Sequence, residues 1–384
     1  MISGKGQRYR HLAPANRLTS SLVNYLDVGM FNTKRTHPRL NFQQNRLKIM
    51  TKMENRTILL AKRPLGKPAA DSFEIINGGI PQAKEGEVVL KTLYVSVDPY
   101  LRGRMNDSKS YVASFNLNEP IRSGLVAEVV ASNNQNFAVK EVVAGMLNWS
   151  EFQISDGSGL IKVNAQIKPL SVYQGILGMP GLTAFLGLTK IGQAKAGETL
   201  VVSGAAGAVG LLVGQIAKIK GCRVVGITGS DEKANLLTSE FGFDAAINYK
   251  TTKRMHKAIA AACPNGVDVY FDNVGGAISD GVMMQINKFA RIIICGAIST
   301  YNETRIPQGP RLQGLLLVNS ALMQGFIVND FAADFPEAIA QLTQWYTEGK
   351  IKNKETVLQG FENIPKAFLG LFDGANTGKM MVKM

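Results

Sequence analysis

The stretch from Glu198 to Lys233 constrains this chain most, because it reads as strand, tight glycine turn, helix and second strand. Thr199-Leu200-Val201-Val202-Ser203 is a short apolar run with β-branched residues, suited to a strand buried on both faces. Gly204-Ala205-Ala206-Gly207-Ala208-Val209-Gly210 follows, with glycine at every third position and only small residues between. Leu211 to Lys220 then has Leu211, Leu212, Gln215, Ile216 and Ile219 spaced for one buried helix face, and Gly221 stops it. Arg223-Val224-Val225-Gly226-Ile227 reads as the next parallel strand. The whole is a βαβ unit.

Glycines at such a turn let the backbone approach a pyrophosphate, and the N–H groups at the helix start face its negative charge. The pattern here is G-x-x-G-x-x-G where the usual fingerprint is G-x-G-x-x-G. A glycine-rich turn without a ligand is the bland alternative, and placement between a buried strand and an amphipathic helix favours the nucleotide. NAD, NADP and FAD all suit this fold, and an acid closing the second strand would favour NAD. That strand ends instead in Gly226-Ile227-Thr228-Gly229-Ser230. The small residues leave room for a 2′-phosphate, which Lys233 can neutralise as a point charge. On the other reading Asp231 caps the next helix and Lys233 is merely solvated.

With 384 residues, 45% of them hydrophobic, the chain suits two domains. No run approaches the roughly 20 apolar residues that span a bilayer, so a soluble protein is expected. Cys222, Cys263 and Cys295 lack CxxC spacing, and His11, His37 and His256 are scattered, so no zinc site is expected. The net charge of +14 is uneven: residues 1–52 carry ten Lys/Arg against Asp27 alone. That basic stretch has no steady apolar periodicity. It reads first as a misplaced start before Met50 and Met53, and otherwise, equally, as a mitochondrial transit peptide or a disordered tail. The compartment expected is cytoplasmic, or mitochondrial if the transit reading holds.

From Arg56 the texture is that of short strands: Arg56–Leu60, Phe73–Ile76, Glu87–Val97, Ser123–Val130 and Gly145–Gln153, punctuated by Asn77-Gly78-Gly79 and Lys84-Glu85-Gly86. A small, partly closed β-barrel is expected there. A helix opens near Gly178-Met179-Pro180-Gly181. Beyond the βαβ unit come strands Asp244–Tyr249, Val267–Phe271, Ala290–Cys295 and Gly325–Val328, with helices Met255–Ala262 and Phe335–Glu348. Such alternation implies an α/β fold with a doubly wound parallel sheet.

Several motifs, in order, carry a family resemblance over roughly residues 55–384. They are Ser96-Val97-Asp98-Pro99-Tyr100-Leu101-Arg102-Gly103-Arg104-Met105, Gly178–Ala184, Ser203–Gly210, Phe271-Asp272-Asn273-Val274-Gly275-Gly276 and Cys295-Gly296-Ala297-Ile298-Ser299, with Tyr301-Asn302. The chain resembles the zinc-independent medium-chain dehydrogenase/reductases, in the prostaglandin reductase, leukotriene B4 dehydrogenase and curcumin reductase branch. The resemblance implies a GroES-like substrate domain over 53–175, completed by 333–384, and a Rossmann domain over 176–332. It also implies NADPH and a homodimer. The pyrophosphate is expected on Gly204, Gly207, Ala208, Val209 and Gly210, and the 2′-phosphate at Lys233 and Tyr249. Asn273, Cys295, Gly296, Ala297, Ile298, Ser299, Tyr301, Phe326, Ile327 and Val328 are expected around the ribose and nicotinamide. Asn376 is expected to close the site from the C-terminal segment.

The implied reaction is metal-free reduction of a carbon–carbon double bond conjugated to a carbonyl, in enals or enones. Tyr301 is the expected donor to the developing oxyanion. Tyr100, a packed turn aromatic on the bland reading, or solvent supplies the last proton. Tyr111 is a substrate contact on the curcumin reductase pattern alone, and Cys295 reads as a core thiol rather than a nucleophile. Two rivals stand beside this: a quinone reductase of the same fold, and a non-catalytic NADPH- or RNA-binding protein using the basic extension.

Overall fold

The computed structural model describes residues 54–384, so the three readings of residues 1–52 lie outside the described residues. Strands β1 (Glu54–Leu60) and β2 (Phe73–Gly79) pair antiparallel. A seven-stranded sheet follows from β3 (Val88–Ser96), β4 (Arg122–Ser132), β5 (Val142–Asn148), β6 (Phe152–Ser155) and β7 (Ile161–Lys162), together with two late strands. β4 pairs antiparallel with β3 on one side and with β5 on the other. Alternate side chains such as Leu90, Leu125, Ala127 and Val129 then face one core with Trp149, Phe361 and Phe368. The indole N–H of Trp149 donates to Ser123 Oγ at 2.8 Å, and Ser123 donates to Ser96 O at 2.7 Å, so the polar atoms in this core are satisfied. Asn77-Gly78-Gly79, expected as a turn, is the end of β2: its backbone pairs with Glu54–Arg56, and cross-strand bonding overrides the turn preference.

The second sheet is six-stranded and parallel: β8 (Thr199–Ser203), β9 (Arg223–Thr228), β10 (Ala245–Asn248), β11 (Val267–Asp272), β12 (Ile286–Ile294) and β13 (Leu322–Gly325). Its order is β10-β9-β8-β11-β12-β13. The chain winds outward from β8 in one direction and then from β11 in the other, so the switch point lies between those two strands. Helices α1 (Leu101–Arg104) and α2 (Met179–Leu186) precede β8, and α3 (Ala208–Ile219) follows it. Helix α3 starts three residues earlier than its apolar pattern suggests. It is buried nearly all round from Gly210 to Ala217, whereas Ile219, expected on the buried face, is 37% exposed. The expected strand Gly325–Val328 ends at Gly325, because the chain turns into a short helix from Val328 to Asp334. The last strands, β14 (Glu355–Gln359) and β15 (Lys379–Lys383), return to the first sheet, where β15 pairs with β3.

Candidate active site

All six parallel strands end at one edge, and every sequence-expected cofactor residue before Asn376 follows one of those ends. At the switch point the tips of β8 and β11 are locked together. Ser203 Oγ donates to Asp272 Oδ1 at 2.8 Å, and Asp272 Oδ1 also accepts from the amides of Val274 and Gly275 at 3.0 and 2.9 Å. Asn273 donates its side-chain amide to Ser203 O at 2.8 Å. Asp272 was not singled out by the sequence, although its place inside the quoted Phe271–Gly276 motif was the available signal. It is buried and serves as the organiser of this turn.

The glycine turn is built by exclusion. Gly204 has φ +60°, and a Cβ on Gly210 would lie 2.4 Å from Gly204 O and 2.8 Å from Ala205 Cα. Only glycine lets α3 begin that close to the strand. No side chain caps α3 at Gly207, which leaves its first N–H groups, at Ala208, Val209 and Gly210, directed at whatever enters the turn. The C-terminal segment lies alongside: Gly378 N donates to Ala206 O at 2.8 Å and pairs with Gly207. Asn376 reaches this loop through its own turn, donating Nδ2 to Gly378 O at 2.8 Å.

At the end of β9, Lys233 Nζ donates to Gly374 O at 2.7 Å rather than standing solvated. Burial and the neighbouring Lys250 both lower its pKa, so an anion there would relieve a like-charge contact. Ser230, not Asp231, caps the helix Asp231–Glu240 (α4), accepting from Lys233 N at 3.3 Å. Asp231 is drawn aside by Asn248 Nδ2 at 2.8 Å. A Cβ on Gly229 would come within 3.0 Å of the Tyr249 hydroxyl, which places that tyrosine over the strand end. Lys250 is the cation that sequence reasoning missed, and its adjacency to Tyr249 was the only signal.

Across the crevice stand three tyrosines. The Tyr301 hydroxyl oxygen accepts from Ala297 N at 3.3 Å, and a Cβ on Gly296 would sit 3.1 Å from it. Burial raises its pKa, with the Ala297 bond opposing. Burial and then Asp98 push the Tyr100 hydroxyl well up, against Arg104. Burial also raises Tyr111; Tyr301 and Cys295 add to that rise and Arg104 opposes it. Tyr100, Tyr111, Tyr301, Arg104 and Cys295 therefore share one neighbourhood. Tyr111, 62% exposed, is at its rim. Arg104 was quoted in the motif without a role, yet its spacing of four from Tyr100 around α1 sets the two on one side. Burial and Asp272 push the Cys295 thiol up to about 12, which suits a core thiol and no nucleophile.

Several expected contact residues also pack within the fold. The partly buried Phe326 ring packs edge-on against Phe271 and beside Phe331, and Val328 packs against the cluster of Leu182, Leu186 and Ala338. Ser299 Oγ is committed to Val274 O at 2.6 Å. Gly296, Ala297 and Ile298 form the turn that carries Tyr301, with Gly296 N held by Asp272 O and Ile298 N by Asn273 O.

Comparison with known proteins decides the family. Residues 56–163 match the N-terminal domain of oxidoreductase, and residues 208–344 match the zinc-binding dehydrogenase family. Prostaglandin reductase 1 of Mus musculus is 46% identical over 331 residues, covering 84% of this chain and 97% of that protein. The chain belongs to the prostaglandin reductase and curcumin reductase branch of the medium-chain dehydrogenase/reductases. The branch is supported again by NADPH-dependent curcumin reductase of Escherichia coli, 40% identical over 87% of this chain and 98% of that one. The crystal structure of CurA in complex with NADPH from Vibrio vulnificus superposes with a TM-score of 0.82 at 46% identity, covering 86% of this chain and 99% of that chain. Although one matching family is described as zinc-binding, no group of three His, Cys, Asp or Glu that could hold a metal ion occurs among the described residues of this reductase.

Proposed function

We propose that the protein is an NADPH-dependent reductase of the carbon–carbon double bond in α,β-unsaturated aldehydes and ketones. The single observation that carries this reading is the pairing of a phosphate-fitting cradle with a hydroxyl donor, Tyr301, at the same strand edge. The relatives are named for the same cofactor and class of substrate: an NADPH-dependent curcumin reductase and a 2-alkenal reductase (NADP(+)-dependent) of Nicotiana tabacum. The glycine turn would hold the pyrophosphate, and Lys233, Lys250, Ser230 and Tyr249 would hold the 2′-phosphate, because the strand end from Gly226 to Ser230 carries no acid. Asn273 and the 295–298 backbone would border the ribose and nicotinamide, with Phe326, Ile327 and Val328 contributing through the main chain.

When bound, NADPH supplies a hydride to the substrate's β-carbon. The chain's own residues handle the charge and the proton that follow. The Tyr301 hydroxyl, its oxygen already receiving an N–H, donates its proton toward the carbonyl oxygen on which negative charge builds. Arg104, partly buried beside Tyr100 and Tyr111, adds positive potential at the same wall. Tyr100, kept protonated by burial, offers the proton for the α-carbon. In this reading residues 53–175 with 333–384 shape the substrate side, and 176–332 the cofactor side. A homodimer belongs to it as well: β13 is a sheet edge, with Leu322 49% exposed and Leu317 and Val318 about fourscore per cent exposed beside it.

The test is NADPH consumption with an alkenal, an enone and a quinone side by side, followed by product analysis by mass spectrometry and NMR. A saturated aldehyde or ketone is expected. An allylic alcohol as the main product overturns the double-bond assignment, and turnover confined to the quinone favours the rival of the same fold. Light scattering on the same sample reads the dimer.

A further inference from the structure

Arg102 is almost wholly buried, at 3% exposure, and lies two residues beyond Tyr100 within α1. Among the described residues, its guanidinium donates only to neutral oxygens. Nε reaches Gly66 O at 3.2 Å and Asn302 Oδ1 at 3.1 Å; Nη1 reaches Asn106 Oδ1 at 2.5 Å; Nη2 reaches Pro64 O at 3.2 Å and Gly66 O at 2.8 Å. Burial depresses its pKa. A buried cation without a counter-ion is costly, and packing alone would be served as well by an apolar side chain. What the guanidinium fork does that an apolar residue or lysine cannot is reach several diverging acceptors at fixed angles. Those acceptors belong to three separate segments: 64–66, the end of the α1 turn, and the residue directly after Tyr301.

We propose that Arg102 is a positioning residue for the reduction, setting through Asn302 where Tyr301 stands relative to Tyr100; the proposal rests on the Tyr301 reading above. The chain of connection is short. Tyr100 and Arg102 share one helical turn, Arg102 bonds Asn302, and Asn302 is covalently joined to Tyr301. Among the described residues, the hydrogen bonds that otherwise hold the Tyr301 loop come from its own side, from Asp272, Asn273 and Val274. The Arg102–Asn302 bond ties it to the wall that carries Tyr100 and Arg104. A donor displaced by about 1 Å from a developing charge loses much of its effect, on the order of 10²-fold at worst.

Asn302→Ala in the full chain deletes one of the five contacts and leaves the other four to hold Arg102, so folding is spared where Arg102→Met can fail. The expected result is a fall in kcat of about tenfold with an enal, with KM for the enal, NADPH affinity and melting temperature nearly unchanged. Asn302→Asp, which keeps an acceptor oxygen, restores most of kcat. In a double-mutant cycle, Tyr301→Phe/Asn302→Ala turns over no more slowly than Tyr301→Phe, because the bond acts through the tyrosine. Wild-type kcat in Asn302→Ala beside a slow Tyr301→Phe overturns the positioning role and leaves the Tyr301 reading intact. Losses that multiply in the double variant also overturn it. Wild-type kcat in Tyr301→Phe removes the donor itself, and the positioning role falls with it.

Discussion

The hydrogen on the Tyr301 oxygen is free to point outward because the oxygen's inward side already accepts the Ala297 N–H. Tyr301→Phe keeps the ring's packing and removes only that donor, so kcat should fall by about 10²-fold while NADPH affinity stays nearly constant. Burial raises this hydroxyl above the ordinary phenol value of about 10. It therefore stays protonated as pH rises past that value, and a kcat–pH profile should show no loss from Tyr301 between about pH 6 and 9. An alkaline limb within that range which vanishes in Tyr301→Phe would contradict the burial argument. At the other end of the crevice, Lys233→Ala should weaken NADPH by about 1–3 kcal/mol, the range for a lost charge-assisted contact, and leave NADH almost unaffected. Equal losses for both cofactors in titration calorimetry would take the 2′-phosphate away from Lys233. Both residues were visible in the sequence. Lys250 and Asp272 were not, because their roles come from what folds over them.

Among the elements, the segment from Gly374 to β15 connects most. Gly374 O accepts from Lys233, Gly378 binds the glycine turn, and Lys379, 3% exposed, reaches the turn that bears Tyr100. Lys379 Nζ donates to Val97 O at 2.8 Å and Met380 O at 2.9 Å, and pairs with Asp98 Oδ1 at 3.1 Å. Removing one member of such a pair leaves a buried charge alone. Lys379→Met should therefore destabilise the protein by about 3–5 kcal/mol, read by urea unfolding. Lys379→Met/Asp98→Asn should recover much of that loss, since both charges are then gone. A double variant no more stable than the single one would mean that Lys379 matters for its packing and backbone contacts rather than for the ion pair. Sequence reasoning placed Asn376 here and passed over Lys379, because nothing local marks a lysine for burial 282 residues from its carbonyl partner.

At the scale of the molecule, two sheets of different kinds meet because the chain leaves the first and returns to it. The pairing of β15 with β3 joins positions nearly three hundred residues apart. Relatives in the branch are matched over 97–98% of their own length by about 330 residues of this chain, and the matched family region begins at residue 56. A chain shortened to begin at Met53 should accordingly fold and keep most of its turnover. Circular dichroism and the NADPH assay check this together, and a shortened chain that loses either property would show that residues 1–52 serve the domain.

Local pattern alone determined the βαβ unit, the alternation that makes the second sheet parallel, the antiparallel texture before it, and the absence of an acid at the end of β9. These follow from side-chain period, glycine placement and β-branching, which act over a few residues. Pattern also overreached: Asn77-Gly78-Gly79 is strand, and Asp231 yields the cap to Ser230. Tertiary structure decided which of the tyrosines meet, that Arg102 bonds Asn302 across 200 residues, and that Lys379 is buried against Asp98. The physical reason is common to all three. A guanidinium or ammonium is driven inside only when distant segments have already brought enough oxygens together to replace its water, and that condition exists only after the chain has folded.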